Sequence, residues 1–295
     1  MNFPHSRKVR KEKPEQMKKS QIASHESQIT RVCLTIAGVD PSGGAGIIAD
    51  IKTFSAFGCF AAAAIASITF QNTQGVFGAL HQTAETVKKQ ILPILDDYEI
   101  AATKTGMLPT REIIEEVARI VAENNLENFV VDPVVRSTSG FDLIDNDALK
   151  SLIDRLFPLS TLITPNIPEA ERIAQMKIES VEDICQAAKI MRDFGAKNVL
   201  IKGGHFIKAK GRRQKAKDYL FIGDDLHIFE AEFIKTTATH GTGCTLAAAI
   251  TANLALGKNL QDSVETAKRF VTEAIRTAPN LGKGHSPVNH SVKNF

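Results

Sequence analysis

Short apolar runs alternate with amphipathic helical segments from Arg31 almost to the end of this chain of 295 residues. The apolar runs have the length of strands, and the segments between them repeat apolar residues at helical spacing. Strands are predicted at 32–37, 61–69, 100–104, 129–131, 162–164 and 199–201, and helices at 46–57, 83–95, 111–123, 148–157, 169–176 and 181–194. This alternation predicts a mainly parallel sheet covered by helices.

The last third of the chain departs from this alternation. Two apolar runs at 219–222 and 226–229 are joined through Gly223-Asp224-Asp225, which predicts an antiparallel hairpin at the edge of the sheet. Two further helices, beginning at Thr245 and Leu260, are predicted to close the chain.

The net charge of +3 comes from the N-terminal segment. Residues 1–31 carry eight lysines and arginines against three glutamates, which leaves 28 basic and 30 acidic residues elsewhere. Residues 1–30 are polar and lack apolar periodicity, which predicts a disordered basic tail before a single domain at 31–295. The body is nearly neutral, so we expect neither a nucleic acid nor a membrane as partner.

The four cysteines are far apart and form neither a CxxC pair nor a metal-binding spacing. No apolar stretch has the length of a membrane span or the character of a signal peptide. Reduced thiols and a cytoplasmic location are therefore expected.

A glycine-containing loop, His240-Gly241-Thr242-Gly243-Cys244-Thr245, precedes an apolar, alanine-rich helical run. Its glycines let the backbone approach a ligand, and the N–H groups of a first helical turn attract anions. The same dipole favours a thiolate, so Cys244 could accept a proton near neutral pH. From the loop alone, a glycine-broken loop before a helix with a buried, inert cysteine is an equal alternative.

The loop after the first strand, Gly38 to Gly46, matches neither a GxGxxG nor a P-loop pattern. Its glycines still allow close contact with a small ligand, and Asp50 lies about one helical turn beyond it. A surface carboxylate after an ordinary strand-to-helix turn explains the same residues. Gln71, after the second strand, carries a donor and an acceptor on one amide, which suits a heteroaromatic edge. Met107, in the loop after Lys104, could pack against a flat ring, although loop amides and core methionines are common.

Two carboxylates and a lysine follow later strands. Asp132 ends the strand at 129–131, and Glu169 stands three residues after Asn166, a spacing that also fits a helix cap. Carboxylates with retained waters suit Mg²⁺. Lys202 precedes two glycines and suits a triphosphate, although a solvated lysine fits as well.

Taken together, the chain resembles the hydroxymethylpyrimidine/phosphomethylpyrimidine kinases of thiamine synthesis, in the ribokinase-like superfamily. Eight motifs in the expected order carry the resemblance, at 34–46, 49–54, 71–73, 104–108, 132–134, 164–166, 202–205 and 240–245. It covers Arg31 to about His290. It implies an α/β fold, a ribokinase-like three-layer α/β/α sandwich with a mainly parallel central sheet and a small antiparallel edge hairpin.

The resemblance also implies an ATP-dependent kinase that phosphorylates hydroxymethylpyrimidine to its monophosphate and then to the diphosphate. It places Gly38, Asp50, Gln71 and Met107 at the pyrimidine, and Cys244 as catalytic base. It places the ATP phosphates at Lys202, Gly241, Thr242 and Gly243, and Mg²⁺ near Asp132 and Glu169, the latter through water. A homodimer is implied as well.

The segment Arg136 to Gly140 lacks the lysine that many members carry before Ser-Gly, although the Thr138 hydroxyl could still reach ATP. Two alternatives stay open at this point. One is a pyridoxal or pyridoxine kinase, whose substrate also carries a hydroxymethyl group on a small heteroaromatic ring. The other is a non-catalytic ligand-binding homologue, against which the intact Cys244, Lys202 and Asp132 argue.

Overall fold

The computed structural model describes residues 31–135, 143–204 and 215–293. The predicted disordered tail at 1–30 and the predicted ATP contact of Thr138 lie outside these ranges. Within them, no helix is long and apolar enough to cross a membrane.

The described residues form a nine-stranded sheet in the order β3-β2-β1-β4-β5-β6-β7-β8-β9. Its strands are β1 (Val32–Val39), β2 (Phe60–Asn72), β3 (Gly75–His81), β4 (Ile100–Thr105), β5 (Phe129–Val131), β6 (Leu162–Ile163), β7 (Asn198–Gly204), β8 (Lys215–Ile222) and β9 (Asp225–Glu232). The α-helices are α1 (Gly46–Ala56), α2 (Ala84–Asp97), α3 (Arg111–Glu123), α4 (Asn146–Ser151), α5 (Ile167–Ala174), α6 (Val181–Asp193), α7 (Thr242–Ala255) and α8 (Leu260–Arg276).

Strands β2, β1, β4, β5, β6 and β7 run parallel to one another, whereas β3, β8 and β9 pair antiparallel to their neighbours. The predicted edge hairpin is therefore confirmed as β8–β9. Strand β3 was not predicted, because its residues are half-buried or exposed and show no alternation of apolar and polar side chains. Because β3 pairs with β2, residues 71–72, which are predicted as a loop, belong to a second antiparallel hairpin.

Helices cover both faces of the sheet. Helices α2 to α6 pack on one face in the largest apolar cluster, which includes Val87, Val117 and Ile184. Helices α1, α7 and α8 pack on the other, where Phe54, Ile250 and Phe270 lie in two smaller clusters. The three-layer α/β/α sandwich is confirmed.

The predicted helix at 148–157 is divided. Helix α4 ends at Ser151, a π-helical turn follows at Leu152–Leu156, and a 3₁₀ turn at Phe157–Leu159 contains Pro158. Proline has no N–H to donate and crowds the preceding turn, which disfavours a regular helix at this position.

The parallel strands bring their carboxyl ends to one edge of the sheet, where ligands bind in open α/β folds. The loops after β1, β4 and β5, the ends of β2 and β7 and the start of α7 all carry residues that line one cavity at this edge. The fold thus gathers most of the predicted site residues in one place.

Candidate active site

The loop before α7 has a backbone shape that only glycine tolerates. Gly241 is the N-cap residue of α7 and has a φ of 79°. A Cβ atom there would lie 1.8 Å from the carbonyl oxygen of Gly44. The loops after β1 and before α7 therefore touch backbone to backbone, and the first N–H groups of α7 open onto the cavity. The predicted anion site has the geometry that it requires.

A buried carboxylate joins these two loops. Asp40 accepts hydrogen bonds from the backbone N–H of Ala45 at 2.9 Å and from the Ser42 hydroxyl at 2.7 Å, and its Oδ2 lies 2.7 Å from His240 Nε2. Burial alone would raise the pKa of Asp40, but the bonds from His240, Ser42 and Gln71 hold it well below its usual range. Asp40 is therefore a charged anchor for both loops.

Cys244 lies in the first turn of α7 and lines the cavity. Part of its surface is open, yet the surrounding protein raises the pKa of its thiol to about 11, because desolvation outweighs the favourable effects of Lys104 and of the Gly46 N–H. Asp50 and Asp132 raise this pKa further. The predicted ease of forming the thiolate near neutral pH is wrong for the ligand-free protein. Burial and two carboxylates outweigh the effects of Lys104 and of the Gly46 N–H.

Asp50 lies behind the cavity wall. Its side chain is fully buried and accepts hydrogen bonds from Thr35 Oγ1 at 2.7 Å and Lys104 Nζ at 2.9 Å. It is not among the described residues that line the cavity. Asp50 faces inward from α1 toward β1 and β4, so the geometry does not support its predicted direct contact with the pyrimidine. Its partner, Lys104, does reach the cavity.

Gly38, Gln71 and Met107 line one end of the cavity. A Cβ atom at Gly38 would lie 3.4 Å from the Met107 sulfur, so the bare backbone of Gly38 faces this side chain. The Gln71 side chain is half-buried at the end of β2 and helps to lower the pKa of Asp40. The structure thus brings three of the four residues predicted for the pyrimidine together, and leaves an amide and a thioether on the cavity wall.

Asp132 and Lys202 form an ion pair on the wall near the start of α7. Asp132 Oδ1 accepts from Lys202 Nζ and from Thr164 Oγ1, each at 2.8 Å. Burial would raise the pKa of Asp132, but Lys202 and Lys104 lower it below its usual range. A Cβ atom at Gly243 would lie 3.2 Å from Lys202 Nζ, so this ammonium group reaches the anion loop.

Glu169 caps helix α5. Asn166 accepts from the Glu169 N–H at 2.9 Å, and the Glu169 carboxylate accepts from the Asn166 N–H at 2.8 Å, a reciprocal capping box. Burial raises the pKa of Glu169 to about 7, although Lys202 opposes this effect. The alternative role foreseen for this residue, a helix cap, is thus present, and its carboxylate also lines the cavity.

Asp132 and Glu169 suit a Mg²⁺ site that is completed by waters and phosphates better than a metal site made of protein ligands alone. Among the described residues, no group of three or more histidine, cysteine, aspartate or glutamate side chains could hold a metal. Mg²⁺ in phosphoryl-transfer sites usually takes one or two carboxylates and completes its shell with waters and substrate phosphates. Two carboxylates beside an anion site meet that requirement.

The cavity has a volume of about 450 Å³ and extends past the anion loop to a second end that sequence reasoning missed. There Asp218 accepts from Lys268 Nζ at 2.6 Å and from the Gly203 N–H at 3.2 Å. Several apolar side chains line the cavity together with this pair: Leu246, Val271, Ile275, Phe233 and Ile234. The residues come from β7, β8, α7, α8 and the segment after β9.

Two of the missed residues carried a readable signal. Lys104 stands in a strand of otherwise apolar and small residues, and Asp218 stands in a hairpin strand that also contains Tyr219 and Leu220. A charged residue inside a buried strand needs a partner, because burial of an unpaired charge is costly. The partners, Asp50 and Lys268, are 54 and 50 residues away along the chain, so no local pattern identifies them.

A model of the phosphomethylpyrimidine kinase family matches residues 40–289. Over 261 residues the chain is 41% identical to the hydroxymethylpyrimidine/phosphomethylpyrimidine kinase of Staphylococcus aureus, covering 88% of this chain and 93% of that protein. It is 43% identical over 257 residues to a bifunctional thiamine biosynthesis protein of Geobacter sulfurreducens, covering 87% of this chain and 51% of that protein.

Two solved structures are similar to the whole sandwich. The phosphomethylpyrimidine kinase of Clostridium difficile has a TM-score of 0.72 and 41% identity, covering 83% of this chain and 100% of that one. A pyridoxal kinase of Staphylococcus aureus in complex with AMP-PCP and pyridoxal has a TM-score of 0.81 and 33% identity, covering 90% and 95%.

Proposed function

The chain belongs to the phosphomethylpyrimidine kinase family, and we propose that the cavity at the carboxyl ends of the strands is where the γ-phosphoryl group of ATP passes first to hydroxymethylpyrimidine and then to the monophosphate so formed. It is a phosphotransferase of thiamine diphosphate biosynthesis. One observation supports the assignment of both steps to this cavity. The anion loop lines the same cavity as Gly38, Gln71 and Met107 and as the apolar residues of α8, so donor and acceptor can meet at the loop.

The pyrimidine is assigned to the end formed by Gly38, Gln71 and Met107. The Gln71 amide can donate to a ring nitrogen and accept from an amino group, while the Met107 thioether packs against the ring. Gln71 also helps to lower the pKa of Asp40, so its amide lies near that carboxylate before the substrate arrives. The hydroxymethyl group then points toward Cys244 and the start of α7.

ATP is the phosphoryl donor, and we assign its base to the end that contains Val271 and Ile275. These side chains supply apolar surface for a flat ring, and the Asp218–Lys268 pair supplies polar atoms at its edge. A similar pyridoxal kinase has been solved with the ATP analogue AMP-PCP. The phosphates then extend toward Lys202 and the N–H groups of residues 241–244.

Phosphoryl transfer is catalysed mainly by positioning and by neutralising charge on the phosphate oxygens. Lys202 supplies a full positive charge and the first turn of α7 supplies oriented N–H groups, with Thr242 among them. Asp132 holds Lys202 in place through the 2.8 Å contact. Asp132, with Glu169 through water, would hold Mg²⁺, which when bound neutralises and orients the ATP phosphates.

The alcohol must also lose its proton, and we assign the role of proton acceptor to Cys244, which lines the cavity at the start of α7. The second transfer differs, because the second pKa of a phosphomonoester lies near ~6 and its oxygen is already largely ionised at neutral pH. One site can therefore perform both steps while requiring its base only in the first. A role for Cys244 in both steps would instead point to shaping of the anion loop.

Pyridoxal phosphorylation is the second candidate activity, because a similar fold with a TM-score of 0.81 belongs to a pyridoxal kinase. Both substrates are small heteroaromatic alcohols. The discriminating measurement is kcat/KM for ATP consumption with hydroxymethylpyrimidine, its monophosphate and pyridoxal, each at several concentrations. We expect turnover with the first two and a lower kcat/KM with pyridoxal. A higher kcat/KM with pyridoxal would reassign the chain to vitamin B6 salvage.

We further propose a homodimer formed through the β2–β3 edge. Ile68, Phe70 and Leu80 lie on one face of this hairpin and have exposed fractions of 37%, 53% and 57%. Exposed apolar patches of this kind mark interaction surfaces, and a second copy is the partner that the family resemblance favours. Light scattering should give twice the mass of the chain, and Phe70→Ser with Leu80→Ser should shift it to the monomer. A monomeric wild type would exclude the dimer.

A further inference from the structure

We propose that Lys104 is a positioning residue for the transfer to the alcohol: its buried ammonium group, held by Asp50, stabilises the anionic form of Cys244. This inference rests on the proposed role of Cys244 as the base. It also gives Asp50 a different task from substrate binding. Neither residue needs to touch the substrate.

Three elements of the fold converge at this point. Lys104 comes from β4, which lies between β1 and β5 in the sheet; Asp50 comes from α1 and Cys244 from α7, which packs beside α1. The ammonium group is fully buried and 2.9 Å from Asp50 Oδ2. A Cβ atom at Gly106 would lie 3.2 Å from it, so Lys104 Nζ points toward the cavity end of its strand.

The arrangement of the Asp50–Lys104 pair is not one that favours the stability of the fold. A buried ion pair repays its desolvation only when the remaining polar atoms are also satisfied. Asp50 Oδ1 is buried and has no hydrogen-bond partner among the described residues. Burial raises the pKa of Asp50. Asp50 in turn keeps the pKa of Lys104 above its ordinary value. The 2.9 Å contact between the two groups favours the charged form of both. The electrostatic effect of Lys104 on the neighbouring Cys244 explains why a lysine stands at position 104.

The charges that act on the Cys244 thiol come from four elements, and three of the charged residues, Lys104, Lys202 and Asp132, line the same cavity as Cys244. Lys104 on β4 and Lys202 on β7 are positive, and Asp50 on α1 and Asp132 after β5 are negative. The N–H of Gly46, at the start of α1, donates to the sulfur. Among these groups, Lys104 has the largest effect in favour of the thiolate, and Asp50 is the stronger of the two opposing carboxylates. Removal of the Lys104 charge should therefore raise the pKa of the Cys244 thiol, and removal of the Asp50 charge should lower it.

That opposition of sign separates an electrostatic role from a structural one. Lys104→Met should make Cys244 less acidic, whereas Asp50→Asn should make it more acidic. Damage to packing would instead shift the acidity of Cys244 in the same direction in both variants. The double variant removes both charges and leaves no lone buried ion. It should resemble Lys104→Met, because the lysine has the larger effect.

The measurement is the rate of Cys244 alkylation by iodoacetamide between pH 7 and 9.5, in full-length protein that carries Cys185→Ser. Cys185 is exposed and would otherwise react, whereas Cys33 and Cys59 are buried. Below the pKa the rate follows the thiolate fraction, so a change of one pKa unit changes it by about tenfold. We expect Lys104→Met to slow alkylation by roughly tenfold and Asp50→Asn to accelerate it. Lys52→Met, an exposed lysine on α1, is the matched control.

Melting curves establish that each variant is folded before alkylation, and the double variant serves if either single variant is not. Equal rates in wild type and double variant, or shifts of the same sign in Lys104→Met and Asp50→Asn, would overturn the proposal. Its failure is distinct from failure of the proposed function. If Cys244→Ala phosphorylated the alcohol normally, Cys244 would not be the base, yet the alkylation rates would still report whether Lys104 controls the thiol.

Discussion

His240 Nε2 lies 2.7 Å from Asp40 Oδ2, and this contact joins two loops separated by 200 residues along the chain. Asp40 is 2% exposed, so its carboxylate depends on protein partners. His240→Ala should lower the free energy of unfolding by about 1–3 kcal/mol, the usual cost of leaving a buried polar group without a partner. Urea unfolding checks this value. His285→Ala, at an exposed position, is the control, and equal losses in both variants would show that the contact contributes nothing.

Cys244→Ala should reduce phosphorylation of hydroxymethylpyrimidine by ~10²-fold or more, the usual scale for loss of a general base. Formation of the diphosphate from the monophosphate should fall far less, because that acceptor is already ionised. Lys202→Met should impair both steps, since both transfer the same phosphoryl group. Separate initial rates with the two acceptors provide the test. Equal damage to both steps in Cys244→Ala would withdraw its role as base.

The pH dependence of the first step should follow the thiol. Because the pKa of Cys244 is raised to about 11 in the ligand-free protein and a base acts in its deprotonated form, kcat/KM for the alcohol should rise with pH between 7 and 10. The monophosphate should show no such rise, since its own ionisation is complete above about pH 7. Parallel pH profiles with the two acceptors measure the difference. A flat profile with the alcohol would contradict proton removal by Cys244.

Gly241→Ala should abolish both activities. A Cβ atom at this position would lie 1.8 Å from Gly44 O, and φ is 79°, so the loop must open. Gly257→Ala is a matched control, since its φ is 83° but no heavy atom lies within 4 Å of the added Cβ. We expect this control to remain active and to lose about 1 kcal/mol of stability from backbone strain. Activity assays and thermal melting distinguish the two, and an active Gly241→Ala enzyme would refute the anion loop.

Gln71→Leu should weaken hydroxymethylpyrimidine binding by about 1–3 kcal/mol, because a polar ring atom loses its partner in the cavity. The effect should appear in KM for the alcohol, with KM for ATP nearly unchanged. Gln74→Leu, at the exposed turn between β2 and β3, is the control. An unchanged KM in Gln71→Leu would place the pyrimidine elsewhere in the cavity.

Several features of the molecule could be predicted from local patterns alone. The parallel sheet follows from alternating apolar runs and amphipathic helices, since each pattern requires a buried face of defined period. The anion loop follows from glycines before a helix, because Gly241 needs both a positive φ and room for Gly44 O. The residue types of Gln71, Lys202 and Asp132 indicated their chemistry, and the structure places all three at one cavity.

The remaining features depend on contacts between residues far apart in the chain. Strand β3 has no alternating pattern because neither of its faces is fully buried, so its pairing with β2 alone defines it. From its local sequence Asp50 fits either a substrate contact or a surface carboxylate, and Cys244 fits either a readily formed thiolate or a buried, inert cysteine. Distant parts of the chain instead set their surroundings. Burial raises the pKa of Cys244. Asp50 forms an ion pair with Lys104 of β4. Desolvation and Coulomb effects act between neighbours in space, so the tertiary structure alone decides which of these side chains line the cavity and which lie behind its wall.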